Sequence, residues 1–420
     1  MTGSESPLRR NRDFLILWAG ETCSEAGTAM SALVFPLLGY AITGSPAAAG
    51  AVASVEVVGR VLVRFVSGAL VGRWSRRQVL VIANVVAAFA FAVGAVASFA
   101  GWLRLPVLLA VALIAGAAEA FIQPASAAAL RAVVPKQQLP VAIARMQSRD
   151  HVAQLVGPPL GGALFAVAHG LPLAVDAGTY AVFAVACISL STPLRAVTAT
   201  TGRLWADARA GFSFVWRHRT IRAILTWGGL FNFATGFVFV ALTLRLLRAG
   251  VHPAAIGVVQ AGGAASGLAG SFAAASLVRR SPTGLLTMAT TLVIAAVTAP
   301  IAFTTNAWLV GVLLCFGVFL MPAVNSGIGG YLTAITPDGM QARTFAAGGI
   351  LSLGLAIAAP AVGGAALGWL GGTATLLIGS LLIALTITPL LVRPDVLRLG
   401  RPDQWDRGAA PILVDSDPQR

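Results

Sequence analysis

The sequence predicts an all-α membrane protein with twelve transmembrane helices in two pseudo-symmetric six-helix bundles. Three observations predict this fold class: a hydrophobic content of 57% with only 10% charged residues, apolar runs of about 20 residues along the chain, and an internal repeat. Soluble proteins carry roughly a quarter charged residues, because a surface in water needs charge. A surface that faces lipid is the simplest explanation of the deficit.

Apolar runs long enough to cross a bilayer follow one another along the whole chain. They cover residues 14–42, 47–71, 78–100, 105–130, 147–168, 171–192, 222–246, 254–278, 284–304, 307–334, 344–370 and 373–392. The first run is too long for the core of a signal peptide and has no clear cleavage site, so we expect it to be the first membrane helix.

The cationic residues cluster in alternate connections between these runs. The loops on one side hold only Arg104, Arg245 and Arg248. The segments on the other side hold Arg9, Arg10, Arg12, Arg73, Arg76, Arg77, Arg131, Lys136, a dense set of arginines from Arg195 to Arg222, Arg279, Arg280, Arg343 and the tail arginines from Arg393. This asymmetry predicts a multi-pass protein of the plasma membrane with both termini in the cytoplasm. The net charge of +14 lies in short clusters between apolar runs, so we expect no nucleic-acid partner.

The runs divide the chain into five parts. We expect a cytoplasmic N-terminus at 1–13, a first bundle at 14–192, a cytoplasmic linker at 193–221, a second bundle at 222–392 and a cytoplasmic tail at 393–420. Leu204, Ala208, Phe212 and Val215 have helical spacing, which predicts an amphipathic helix in the linker. The tail alternates Arg, Asp and Pro, a composition typical of disorder.

An internal repeat relates the two predicted bundles. The pairs separated by 202 residues are Pro135 with Pro337, Gly161 with Gly363, Gly162 with Gly364, Ala163 with Ala365, Gly68 with Gly270 and Arg77 with Arg279. Several matches at one offset indicate a duplicated six-helix unit. Two similar bundles can rock against each other around a central cavity, which is the architecture of alternating access.

Four of the five glutamates fall inside predicted spans: Glu21, Glu25, Glu56 and Glu119. A charge at mid-membrane costs about 2.5–3.5 kcal/mol even on the lenient insertion scale, so we expect these residues to face an interior cavity. Residues four apart share a helix face. Glu21 therefore shares a face with Glu25, Glu56 with Arg60, and Glu119 with Gln123.

These residues suggest a proton-coupling site. We expect Arg60 to neutralise either Glu56 on its own helix or Glu25 across the gap. We hypothesise that Glu25 or Glu119 carries a proton, since a carboxylate without a cation is costly to bury. The other polar residues, Glu21, Glu56, Arg60 and Gln123, would then line a substrate cavity. The alternative is a static ion-pair network that holds the helices together.

The second half offers fewer polar candidates. Asn232, Gln260 and Asn325 lie inside predicted spans and are candidates for the substrate cavity. Hydrogen bonding to neighbouring helices is the alternative role for each of them. Four aromatic side chains of the seventh span could stack on an apolar ligand, or contact lipid and core: Phe231, Phe233, Phe237 and Phe239.

The stretch Gly68-Ala69-Leu70-Val71-Gly72-Arg73-Trp74-Ser75-Arg76-Arg77 resembles the loop motif of the major facilitator superfamily. Within that family, the chain is similar to the drug-exporter branch of macrolide and siderophore efflux proteins, as Gly157-Pro158-Pro159-Leu160-Gly161-Gly162 also indicates. The resemblance implies a cytoplasmic gate formed by Gly68, Gly72, Arg73, Arg76, Arg77, Arg149 and Asp150. Gly72 stands where the family has Asp, so the arginines need other partners, such as Asp150 or helix C-terminal carbonyls.

The resemblance implies a secondary active transporter, with proton-coupled efflux of a small amphipathic organic compound, such as an antibiotic or a siderophore. The alternatives are a nutrient uptake permease of the same fold and a membrane scaffold that transports nothing. We expect a monomer whose partners are the substrate, protons and the lipid bilayer. No phosphate-binding loop or metal-ligand spacing occurs, so we expect no enzyme activity, no cofactor and no metal.

Overall fold

The computed structural model describes residues 8–194, 213–336 and 354–392, together with positions 344, 348, 349, 352, 399–402 and 405. Within these residues the chain forms helices and turns, without a strand. The first bundle consists of α1 (Arg12–Thr43), α2 (Pro46–Arg73), α3 (Arg76–Phe99), α4 (Leu105–Val133), α5 (Leu139–Val167) and α6 (Leu171–Ser189).

The second bundle repeats this order with more interruptions. Its helices are α7 (Arg219–Arg248), α8 (Pro253–Arg280), α9 (Thr283–Ile301), α10 (Ala307–Val318), α11 (Met321–Ile335), α12 (Ala359–Leu370), α13 (Gly372–Leu385) and α14 (Thr388–Leu391). The breaks before α11 and α14 precede Pro322 and Pro389, because a proline lacks the N–H group and clashes with the preceding turn. The tenth and twelfth predicted spans are therefore each two helical segments.

The helices confirm the predicted fold class. Ten described segments are long and apolar enough to cross a membrane, and Leu355–Leu370 forms a shorter apolar helix. The charged side chains of Arg145, Arg149 and Asp150 make α5 less hydrophobic. The predicted fifth span, 147–168, is too short, since α5 begins at Leu139. Because the residues before 147 are partly polar, the sequence did not show roughly the first two turns of this helix.

The two ends of the assembly can be told apart by their contacts. At one end, here named the terminal face, Asn11 Nδ2 donates to the Val133 carbonyl at 2.9 Å and Ser75 Oγ to the Leu194 carbonyl at 3.2 Å. At the other end, the opposite face, short turns at Gly44 and Gly371 join successive helices.

The two bundles meet through glycines packed against proline carbonyls. A Cβ atom at Gly162 would overlap the Pro253 carbonyl oxygen, and one at Gly364 would overlap that of Pro46. The reciprocal contacts pair Gly257 with Pro158 and Gly50 with Pro360. Thus α5 packs on α8 as α12 packs on α2, and the 202-residue offset relates Gly162 to Gly364 and Pro158 to Pro360.

Two expectations concern segments outside the transmembrane helices. The predicted amphipathic helix of the linker lies largely outside the described residues, which resume at Ser213. Of the predicted tail, the structure describes residues 399–402 and 405, and contacts with the second bundle occur among these. The Gly400 carbonyl accepts the N–H of Thr283 at 3.3 Å, and the Trp405 ring packs edge-on against Tyr331 at 6.0 Å between centroids. These residues cover the start of α9, where amide groups lack intrahelical partners.

Candidate functional site

The acidic side chains of the first bundle point into its interior. Glu21 on α1 and Glu119 on α4 are each only 6% exposed, and Glu25 and Glu56 are half-buried. The sequence placed these residues on shared faces of three helices, and the structure brings those faces together. The arrangement removes the carboxyl groups from the lipid, where they would be costly.

Glu21 forms an interhelical ion pair that we did not predict. Arg149 Nη1 on α5 lies 3.1 Å from the Glu21 carboxylate. The same guanidinium donates to Asp150 Oδ1 through Nη2 at 2.6 Å and through Nε at 3.0 Å. Two carboxylates therefore compensate the charge of one arginine that is 5% exposed. Such compensation is needed because an unpaired buried charge is strongly destabilising.

Arg60 pairs with Glu56, one turn away on α2. This resolves the choice between Glu56 and Glu25 as its partner. Arg60 also lies within electrostatic range of Glu119 and Tyr180. The pair therefore places a cation beside the acidic residue of the neighbouring helix α4.

Glu119 and Glu25 are acidic side chains without an ion pair among the described residues. Gln123 Nε2 donates to Glu119 Oε1 at 2.8 Å, as expected for residues four apart on α4. Glu25 lies within electrostatic range of Glu119, Asp150, Arg149 and Glu21. Two carboxyl groups close to each other and without a dedicated cation are suited to hold a proton, since the neutral form is cheaper to bury.

The sequence reading missed a fifth interior acid, Asp176 on α6, which is fully buried. Ser31 Oγ donates to one of its carboxyl oxygens, and Thr179 Oγ1 donates to the other at 3.0 Å. The signal was present as a lone aspartate within the apolar run Leu171–Ser189. By position along α6, Asp176 is nearer the opposite face than Glu21 is.

A small cavity of about 10 Å³ lies between these groups, lined by Thr28, Ser31, Ala32, Phe35, Glu56, Phe91, Ala115, Glu119 and Tyr180. The Thr28 and Tyr180 hydroxyl groups are 3.0 Å apart. The rings of Phe35, Phe91 and Tyr180 stack in series and fill the remaining space. A space of this size is about that of one water molecule.

A much larger cavity, of about 310 Å³, lies inside the second bundle between α7, α8, α9, the α10–α11 break and α13. Two of the predicted candidates, Asn232 and Gln260, line it, as do Phe231 and Phe239. Asn325 is exposed and lies outside this lining. Gln123 is likewise exposed apart from its bond to Glu119. The predicted substrate residues therefore divide between two separate places.

The residues of the predicted gate lie at the terminal face. Arg77 donates to the carbonyls of Leu190, just after the last turn of α6, and Thr192, the latter at 3.2 Å. Arg76 Nη1 donates to the Ala128 carbonyl at 3.3 Å. Backbone carbonyls of the first bundle thus accept hydrogen bonds from Arg76 and Arg77, while Asp150 pairs with Arg149. Gly68 and Gly72 belong to the last turns of α2, and the Arg73 side chain lies outside the described part of the chain.

Within the described residues, no group of three or more His, Cys, Asp or Glu side chains is placed to hold a metal ion. The chemistry seen among the polar side chains of the site is ion pairing and hydrogen bonding. It occurs in the first bundle, whereas the larger cavity lies in the second.

Comparison with known proteins yields a family and a fold. The family model described as Major Facilitator Superfamily matches residues 17–356. A mutant of the nucleoside transporter NupG has a TM-score of 0.74 at 11% identity, with 91% of this chain and 99% of that chain covered. No curated protein matches the chain.

Two further solved structures have the same fold at low identity. A bacterial homologue of the human lysosomal transporter Spinster, in an inward-facing and unoccupied conformation, has a TM-score of 0.69 at 15% identity, with 97% and 99% of the two chains covered. A POT family transporter in complex with 5-aminolevulinic acid has a TM-score of 0.71 at 11% identity, with 92% and 96% covered.

Proposed function

This chain belongs to the major facilitator superfamily, and from that premise we propose that it is a proton-coupled transporter that exports a small amphipathic organic compound. The exporter branch and the coupling ion are our inference from the residues of this chain. The single observation that carries the coupling is the pair of interior carboxyl groups, Glu25 and Glu119, without an ion-pair partner among the described residues.

The proposed cycle uses these two groups as the proton site. When the central cavity faces one side, Glu25 or Glu119 takes a proton, which removes a buried negative charge. When the bundles rock, the proton leaves on the other side. Glu21 with Arg149 and Glu56 with Arg60 stay paired, so that the protein changes its net interior charge by one proton and not by several.

The contacts between the bundles support alternating access. The reciprocal glycine–proline contacts lie where α2 and α8 begin, near the opposite face. One hydrogen bond between the bundles, from the Ala361 N–H to Ser54 Oγ at 2.9 Å, lies on the same side of the membrane centre. We propose that the central cavity opens at the terminal face, and that this face is cytoplasmic in the plasma membrane, as the distribution of arginine predicts.

The experiment begins with a substrate found by screening deletion and overexpression strains against a chemically diverse compound panel. Purified protein in liposomes is then assayed for uptake of that compound driven by an imposed pH gradient. Glu25→Gln or Glu119→Gln should abolish the gradient-driven rate but retain exchange of labelled for unlabelled compound, because exchange needs no net proton movement. Full gradient-driven transport in both variants would exclude these residues as proton carriers.

The same change at a paired carboxylate is the matched control. Glu56→Gln removes a charge at similar depth but leaves Glu25 and Glu119 intact. It should lower transport and exchange together, since it leaves the Arg60 guanidinium without its main partner. A loss of gradient dependence in Glu56→Gln alone would move the proton site from α1 and α4 to α2.

Uptake of a nutrient is the second candidate, because the solved structures of the same fold include a nucleoside transporter and a POT family transporter. Cells that accumulate the screened compound when the chain is overexpressed would support uptake, and cells depleted of it would support export. A purified chain that moves no compound under any gradient would favour a scaffold instead.

A further inference from the structure

The proton site does not use the uncharged cavity of the second bundle. We propose that this cavity binds the transported molecule, and that it selects an uncharged, mainly apolar compound with one or two hydrogen-bonding groups. This inference rests on the proposed transport function and adds to it a binding site within one bundle and a class of substrate.

The charge of the lining excludes ionic ligands. Its residues are Phe231, Asn232, Thr235, Val238, Phe239, Leu242, Thr243, Leu246, Ile256, Val259, Gln260, Ile294, Val297, Thr298, Leu314, Gly317, Val318, Met321 and Ile383. None of them carries a charge. A cation, an anion or a zwitterion bound here would lack a counter-charge, and a charge buried without a partner is strongly unfavourable.

The hydrogen-bonding capacity of the lining is also small. The hydroxyl groups of Thr235 and Thr298 donate to carbonyls one turn back, at 2.8 and 2.7 Å. Gln260 Nε2 donates to Thr243 Oγ1 at 3.2 Å, and Asn232 Nδ2 to the Ser352 carbonyl at 3.3 Å. Among the described residues, each of these two amides keeps its carbonyl oxygen and one N–H without a hydrogen bond, and these groups are left for a ligand.

This capacity argues against very polar substrates. A molecule with many hydroxyl or amide groups would bury several of them without partners, at a cost of about 1–3 kcal/mol each. A compound with one carbonyl or hydroxyl group can be satisfied by Gln260 or Asn232. Its apolar body can then lie against Phe231 and Phe239.

The size and the flexible wall fit a small organic molecule. A volume of about 310 Å³ is at the lower end of the range for ligand pockets, about 300–1,000 Å³. One wall is the break between α10 and α11, where Gly317, Val318 and Met321 line the cavity. An unbranched methionine adapts to ligands of different shape, and interrupted helices commonly form transporter binding sites.

Pseudo-symmetry gives an independent argument for separate roles. The small cavity of the first bundle lies between α1, α2, α3, α4 and α6, and the large one lies between their counterparts in the second bundle. At the 202-residue offset, Ala115 corresponds to Gly317 and Glu119 to Met321, and all four residues line their cavities. The cavity at this position of the duplicated unit is therefore small and acidic in the first bundle, and large and uncharged in the second.

Photolabelling with benzophenone tests the site, since this probe is neutral, apolar and has one hydrogen-bond acceptor. Irradiation of purified protein in lipid nanodiscs should attach the probe to Leu314, Val318 or Met321, as read by peptide mass spectrometry. The anionic analogue 4-carboxybenzophenone should label these residues at least about tenfold less, because a 1.4 kcal/mol difference is already tenfold. Equal labelling by both probes would overturn the selection for neutral compounds.

A cavity-filling variant and a matched control complete the test. Thr235→Phe puts a ring into the cavity and should reduce labelling about fivefold or more, as expected for a loss of 1 kcal/mol or above. Thr333→Phe makes the same change at an exposed threonine outside the lining and should leave labelling unchanged. Probe dissolved in lipid would label only residues outside the lining. If only such residues are labelled, the proposed binding site is wrong.

This experiment separates the inference from the proposed function, because labelling needs no gradient and no transport. Pocket labelling in a chain that transports nothing would refute the proposed function and leave the binding site in place. Gradient-driven transport of a compound that does not compete with benzophenone labelling would refute the site and leave the proposed function in place.

Discussion

Arg149 on α5 lies 3.1 Å from the Glu21 carboxylate on α1, and both side chains are more than nine-tenths buried. The contact joins α1 and α5. Without it, α1 would bury the negative charge of Glu21 and α5 the positive charge of Arg149 apart from each other. It also fixes α5, the helix that contacts α8 of the second bundle through Gly162 and Pro253. The ion pair and this contact between the bundles thus lie on the same helix, 13 residues apart.

Removal of Arg149 alone should destabilise the protein. Arg149→Leu leaves Glu21 buried without its cation, and breaking a buried pair costs about 3–5 kcal/mol. The double variant Glu21→Gln with Arg149→Leu should recover much of this loss, because neither charge remains unpaired. Thermal unfolding of the purified variants in detergent measures both effects.

Arg131→Leu is the control for Arg149→Leu, because Arg131 is an exposed arginine at the end of α4. It should change the unfolding temperature little, since exposed charges contribute about 0–1 kcal/mol. A double variant that unfolds below Arg149→Leu would show that the two charges act separately.

Gly116 on α4 permits the close contact that holds Glu56 and Glu119 next to each other. A Cβ atom at this position would overlap the Glu56 carbonyl oxygen on α2, and backbone atoms have little freedom to move aside. Gly116→Ala should therefore push α4 from α2 and sharply lower the yield of monodisperse protein in size-exclusion chromatography. Overpacking of this kind costs about 1–3 kcal/mol or more.

Gly178→Ala is the matched control, on α6 of the same bundle. A Cβ atom there would meet nothing within 4 Å, so alanine should keep the yield or raise it, since glycine is about 1 kcal/mol less favourable in a helix. Equal behaviour of the two variants would mean that the contact between α2 and α4 is not tight.

Asp176 should tolerate an amide better than an apolar side chain. Asp176→Asn keeps an acceptor for the Ser31 hydroxyl, whereas Asp176→Leu leaves that buried hydroxyl without one, at about 1–3 kcal/mol for an unsatisfied group. The Thr179 hydroxyl keeps its bond to the backbone carbonyl of residue 176, at 2.8 Å, in both variants. We expect a near-normal unfolding temperature for Asn and a large decrease for Leu. The reverse order would show that the carboxylate charge itself stabilises α6.

The sequence predicted the helices and the duplication because both follow from local patterns. Apolar runs mark membrane spans whatever surrounds them, and the recurrence of Gly162 as Gly364 needed only a comparison of the halves. The partners of Glu21 and Arg149 could not be predicted, since they lie on helices 128 residues apart in the chain. Spacing along one helix did place Glu56 with Arg60 and Glu119 with Gln123 on shared faces, but it left Glu25 open as a second possible partner of Arg60.

The cavity in the second bundle was only partly predictable, for a physical reason. Asn232 and Gln260 were recognisable as polar residues in apolar spans, but a cavity depends on which side chains fail to fill the space between five helices. Asp176 was visible in the sequence. The hydrogen bonds that it accepts from the hydroxyls of Ser31 on α1 and Thr179 on α6 could be recognised only once those helices were packed.

Ser54 on α2 should help to hold the two bundles together near the opposite face. Its hydroxyl accepts the Ala361 N–H, near the start of α12, at 2.9 Å. Ser54→Ala removes this acceptor, at a cost of about 1 kcal/mol, so the closed contact should open about fivefold more often. Hydrogen–deuterium exchange of the peptide that contains Ala361 should accelerate accordingly.

Ser67→Ala tests whether that acceleration comes from the contact between the bundles. Ser67 is also buried on α2, but its hydroxyl donates to the Arg64 carbonyl of the same helix at 3.2 Å. Its loss should leave exchange of the Ala361 peptide unchanged, because no contact with α12 is removed. Equal acceleration in both variants would indicate general loosening of α2, and the hydrogen bond from Ala361 would then have no specific part in closing the opposite face.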